Sequence, residues 1–100
     1  MHLVQMFIPA ASQVGIDAEE LIATVQHEMT ERYGGATAYL NSPAEGLWSN
    51  GAREEEDVVV VIEVMVDDLD RTWWHQYRRK LEQLLKQKEL LVRALPVETL

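Results

Sequence analysis

Three polar side chains sit in the middle of strand-like runs, and they are the residues best placed to do chemistry. Gln5 is central in the apolar run 3–8, Glu63 in the run 57–66 and Arg93 in the run 89–97. An amide, an acid and a base set among apolar side chains have the composition of a small-ligand site, and a carboxylate in such surroundings is one whose proton affinity a fold can tune. His75 adds an imidazole, the side-chain type whose charge changes nearest neutrality. With Glu63 or His75 as acid/base and Arg93 orienting an anionic substrate, the set would suit a small cofactor-free enzyme of the dimeric α+β barrel type. The plainer alternative is an ion pair between Glu63 and Arg93 that fixes the register of an oligomer interface. Tyr39 and Trp48 complete the set of ligand-binding candidates.

Other chemistry-bearing patterns reduce to structure. His27-Glu28 resembles the start of a zinc-protease helix, but Glu31 stands where the second histidine would be needed. The carboxylates of Asp67, Asp68 and Asp70 read as helix caps rather than a magnesium site. Gly34-Gly35 follows a helix instead of opening one, so it is not a phosphate loop. Trp73, Trp74 and Tyr77 have core spacing on a helix, with Trp74 or His75 as the alternative lining of a pocket at the helix start. The expectation is no metal and no cofactor.

The elements that must position these residues follow from periodicity. Residues 3–8 form a first strand closed by Pro9. Asp17 and Glu20 make a capping-box-like start, and Leu21, Ile22, Val25 and Met29 lie on one stripe of the helix that follows. Gly34-Gly35 ends that helix in the left-handed conformation. Residues 37–40 are a short second strand, interrupted by Asn41-Ser42-Pro43 and resumed at Gly46-Leu47-Trp48. Residues 57–66, rich in β-branched side chains, are a third strand. A second helix carries Trp73, Trp74, Tyr77, Leu81, Leu84 and Leu85 on one stripe, with Arg71, His75, Arg78, Arg79, Glu82 and Lys86 on its other side. Residues 89–97 are a last strand. The order β-α-β-β-α-β predicts a single α+β domain over residues 1–100, of the ferredoxin-like split βαβ type, with a four-stranded antiparallel sheet and both helices on one face.

Alternate strand residues point to opposite faces. Val58, Val60, Ile62, Val64 and Val66 form one set of the third strand; Val59, Val61, Glu63 and Met65 form the other. The first strand divides into Val4, Met6, Ile8 and Leu3, Gln5, Phe7. The last divides into Leu90, Val92, Ala94 and Leu91, Arg93, Leu95. A solvated antiparallel sheet shows a polar outer face, and this one is apolar on both sides except at Gln5, Glu63 and Arg93. The expectation is a homo-oligomer, dimer or trimer, associating through the sheet face. In the split βαβ topology the first strand lies between the third and the last, which sets those three polar residues in a row.

Bulk properties narrow the partners. The net charge is −8 and there is no cysteine, so nucleic acid and anionic membranes are repelled over the surface as a whole and disulfides are excluded. Charge is uneven: residues 54–57 are an acidic run, and five of the nine basic residues fall between positions 78 and 88. No segment has the apolar length of a membrane span, and no basic-then-apolar leader opens the chain. The expected location is cytoplasmic, with no nucleic acid or membrane partner.

The stretch Arg32-Tyr33-Gly34-Gly35-Ala36-Thr37-Ala38-Tyr39, then Glu45-Gly46-Leu47-Trp48, then the valine strand, resembles a group of small bacterial ferredoxin-like proteins to which no activity is assigned. That likeness runs over most of the chain and implies the same fold. Residues 48–64, a tryptophan-bearing hairpin with an acidic turn, and Glu89-Leu90-Leu91-Val92 with Leu95-Pro96-Val97 are similar to the CutA and PII-like proteins. Those families imply trimers with ligands bound between subunits. The chain has neither the PII nucleotide-binding pattern nor the CutA cysteine. The function expected is a small oligomeric module that binds a small ligand or a protein partner at the sheet face or subunit interface.

Overall fold

A computed structural model describes residues 1–9, 18–39 and 59–100. The elements are β1 (His2–Pro9), α1 (Ala18–Tyr33), β2 (Thr37–Tyr39), β3 (Val59–Val66), α2 (Arg71–Leu85) and β4 (Val92–Pro96). They form an α+β fold with an antiparallel sheet in the order β2-β3-β1-β4.

The expected four-stranded ferredoxin-like sheet needs correction. β2 pairs through three residues only, Thr37 with Glu63, Ala38 with Ile62 and Tyr39 with Val61. Over most of its length the described sheet is therefore three strands wide, β3-β1-β4, with β2 as a short fringe. The expected resumption at Gly46-Leu47-Trp48, the Asp17 cap and Val58 lie outside the described residues.

Period-two alternation explains the core. Val4, Met6 and Ile8 of β1 and Val60, Ile62, Val64 and Val66 of β3 point to one face and are buried. Leu21, Ile22, Val25 and Met29 of α1 and Trp74, Tyr77, Leu81 and Leu85 of α2 join them in one cluster. Leu84, expected on the same stripe, is 43% exposed. Trp73 is only partly buried against the cluster.

The helix ends obey local chemistry. Asp70 caps α2, its carboxylate accepting from the Trp73 N–H at 3.1 Å. Lys86 closes α2 in the left-handed region at φ 51, and Gly34 follows α1 at φ +88, where glycine pays no Cβ penalty.

The last strand starts later than residue 89. Leu90 is buried in the core, and its N–H donates to Glu82 Oε2 at 2.8 Å instead of entering the ladder. The first bond from this segment to β1 comes at Leu91, whose carbonyl accepts the Phe7 N–H at 3.0 Å.

Candidate functional site: a polar row on the open sheet face

The register places Gln5 opposite Glu63 on one side and opposite Arg93 on the other. Gln5 Nε2 donates to Glu63 Oε2 at 2.6 Å, and Arg93 Nε donates to Gln5 Oε1 at 2.7 Å. The amide thus turns its donor to the acid and its acceptor to the base. Both of its bonds are to charged groups, which are the stronger kind. The Arg93 guanidinium also lies 5.1 Å from the centre of the Phe7 ring, within the range of a cation–π contact.

Apolar side chains flank this row along the strands. Leu3, Met65 and Leu95 share one register level, and Phe7 pairs with Val61 on the other side of the row beside Leu91. Met65 and Leu91 are each 42% exposed and Leu95 38%. Two of them lie on one side of the polar row and the third on the other, so apolar surface is exposed on both sides of it. Val59, expected on this face, is buried. No charged or polar residue is fully buried among the described residues, so the row keeps contact with water in the isolated chain.

The remaining candidates lie elsewhere. The Tyr39 backbone pairs with Val61, and Trp48 lies outside the described residues. His75 is exposed on α2, which packs on the opposite face of the sheet from Glu63. Glu63 and His75 therefore do not share a site. Glu63 lines neither the cleft between α2 and β4 nor the one beside Glu28, Trp73 and Tyr77.

His75 instead lines a cleft of about 190 Å³ between α2 and β4, together with Arg71, Trp74 and Arg78. The two arginines were legible in sequence only as part of the polar side of a helix. Their spacing at 71, 75 and 78 is the signal that one stripe carries three cationic or ionisable groups.

On the other side of α2 an aromatic cluster joins the two helices. Tyr33 stacks on Trp74 at 5.8 Å between ring centres, and Trp73 stacks on Tyr77 at 5.0 Å. The Arg32 guanidinium lies 4.1 Å from the centre of the Trp73 ring. Tyr77 OH reaches Glu28 Oε1 at 3.5 Å. Burial, then the nearby Glu28 carboxylate, holds the Tyr77 phenol well above its ordinary range.

That shift has a signed consequence. The unfolded chain releases this proton near pH 10 while the folded chain keeps it, so stability falls as pH rises past about 10. Tyr77→Phe should reduce the alkaline loss of stability. Urea midpoints at pH 8 and about pH 11 check this; an equal loss in both proteins would refute it.

Asp67, Asp68 and Asp70 form no metal cluster, and none of three or more candidate ligands occurs among the described residues. No helix among them is long and apolar enough to cross a membrane. No family model matches the chain, and no curated protein or solved structure matches it either.

Proposed function

We propose that the chain is a self-associating binding module, a homodimer whose two sheets pack face to face over the row Glu63–Gln5–Arg93. The observation that carries this reading is the order of charge within an exposed apolar face: acid, amide, base, straight across three neighbouring strands.

The order selects the packing. Two identical faces meet about a twofold axis lying between them. With the axis along β1, Glu63 meets the partner's Arg93, and Gln5 meets the partner's Gln5. Val61 then meets the partner's Leu91, and Met65 meets the partner's Leu95, apolar on apolar. With the axis across the strands, Glu63 would meet the partner's Glu63 and Arg93 the partner's Arg93. Like charges so placed cost several kcal/mol. Either axis keeps the strands of the two sheets aligned, within the roughly 30° at which aligned sheets pack, so the charge order alone chooses between them. A buried ion pair adds little net stability, but mispairing it is expensive, so the row acts chiefly to fix orientation.

The enzyme reading, with Glu63 or His75 as acid/base beside Arg93, has less support. Glu63 is engaged with Gln5 on the open face, and His75 belongs to the helical layer.

Val61→Lys places an ammonium in the middle of the apolar contact. Sedimentation velocity should show this variant at the mass of one chain. If it sediments as the unaltered protein does, the contact is not the open sheet face.

A further inference from the structure

We infer that the cleft between α2 and β4 binds a small organic anion, with an apolar body on the cleft floor and a phosphate or carboxylate head at its rim. The site lies on the helical side of the sheet and does not depend on the association proposed above.

The lining divides by chemistry. Val4, Leu69, Val92 and Ala94 supply apolar surface, and Arg71, His75 and Arg78 come from one stripe of α2. Arg93 of β4 borders the cleft as well, but its guanidinium is turned to the open face, where it donates to Gln5 Oε1 and lies over the Phe7 ring. The whole chain has 17 acidic residues against nine Lys and Arg, yet no acid lines this cleft, whereas Arg71, His75 and Arg78 of α2 do. A basic concavity in an acidic chain focuses potential on an anion of the size it admits. At about 190 Å³ the cleft is smaller than the range of drug-sized pockets, which starts at about 300 Å³.

Hydrogen-bond accounting points the same way. The Trp74 indole N–H and the Arg78 Nε–H are buried atoms with no acceptor. Arg78 forms an i,i+4 ion pair with Glu82, but at 3.6 Å from Nε to Oε2 the contact is too long for a hydrogen bond, and that oxygen already accepts the Leu90 N–H. Buried donors without acceptors are uncommon and costly. The side chains of Arg71 and His75 make no hydrogen bond or ion pair among the described residues. The donors at the start of α2 are partly used, because Asp70 takes the Trp73 N–H. The anion is therefore held by side chains more than by the helix terminus.

The cleft exists because β4 is an edge strand that α2 does not cover. Ala94 pairs with Val4, whose side chain points into the core, and yet it is exposed.

Calorimetric titration with phenyl phosphate, benzoate and inorganic phosphate tests the assignment. At least one should bind saturably, one per chain. Tighter binding of phenyl phosphate than benzoate assigns a phosphate head; the reverse assigns a carboxylate. The double variant Arg71→Gln/Arg78→Gln should weaken binding at least about tenfold, as loss of charge-assisted bonds does. Arg79→Gln removes charge from an exposed site outside the cleft and should leave binding unchanged. Val61→Lys should bind as the unaltered chain does, which separates this site from the association. No saturable binding of any probe would overturn the inference. So would an equal loss in Arg79→Gln, because the attraction would then be diffuse.

Discussion

Reversing one charge of the polar row is expected to dissociate the dimer, and reversing both is expected to restore it. In the packing proposed, Glu63→Arg sets a guanidinium against the partner's Arg93 at two symmetry-related places. Arg93→Glu sets a carboxylate against the partner's Glu63, again twice. Each like-charge contact costs several kcal/mol, so either change should weaken association by at least about a hundredfold. The double change Glu63→Arg/Arg93→Glu returns every contact to opposite charge. Gln5 can serve the exchanged pair by turning its amide over, because its two ends differ only in which donates. Glu63 is half-buried and Arg93 exposed in the single chain, so the variants should stay folded. Analytical ultracentrifugation over a dilution series reads the outcome. A double variant as dissociated as the single ones would exclude the axis along β1.

The largest loss of stability is expected at Trp74. Its side chain is 5% exposed. It stacks on Tyr33 of α1 and meets Trp73 at 4.9 Å and Tyr77 at 6.0 Å edge to face. Trp74→Ala removes the ring that ties α1 to the first half of α2 and leaves a cavity among rings that cannot collapse onto it. Such changes cost about 3–5 kcal/mol, a large part of the ~5–15 kcal/mol that holds a domain folded. Leu84→Ala, on the same helix but outside the core, should change stability by less than about 1 kcal/mol. Urea unfolding of the two variants beside the parent measures both. Equal losses would mean that the helical stripe is oriented differently from the structure described.

What could be read from sequence was whatever depends on strand and helix period. The two faces of β1 and β3 follow from alternation, since a shift of one residue would expose Met6 and Ile62. The alignment of Gln5, Glu63 and Arg93 follows once β1 is placed between β3 and β4. The stripe Leu21, Ile22, Val25 and Met29 follows from the helical repeat. What escaped depends on tertiary contact. Leu90 looks like strand until the Glu82 carboxylate takes its N–H. Leu84 looks like core until the helix finds its angle on the sheet. The second strand was expected over residues 37–40, and Thr37–Tyr39 of it pair with β3. The basic cleft was legible only as the possibility that Trp74 or His75 lines a pocket at the start of the helix; its arginines were not. A stripe of Arg71, His75 and Arg78 is indistinguishable from a solvated helix face until the edge strand lies beside it uncovered.

Association through the open face is the claim from which the proposed function proceeds. Light scattering of the unaltered protein at micromolar concentration tests it most directly. The account predicts twice the 11.5 kDa of one chain. A mass of 11.5 kDa that holds across the concentration series would contradict it.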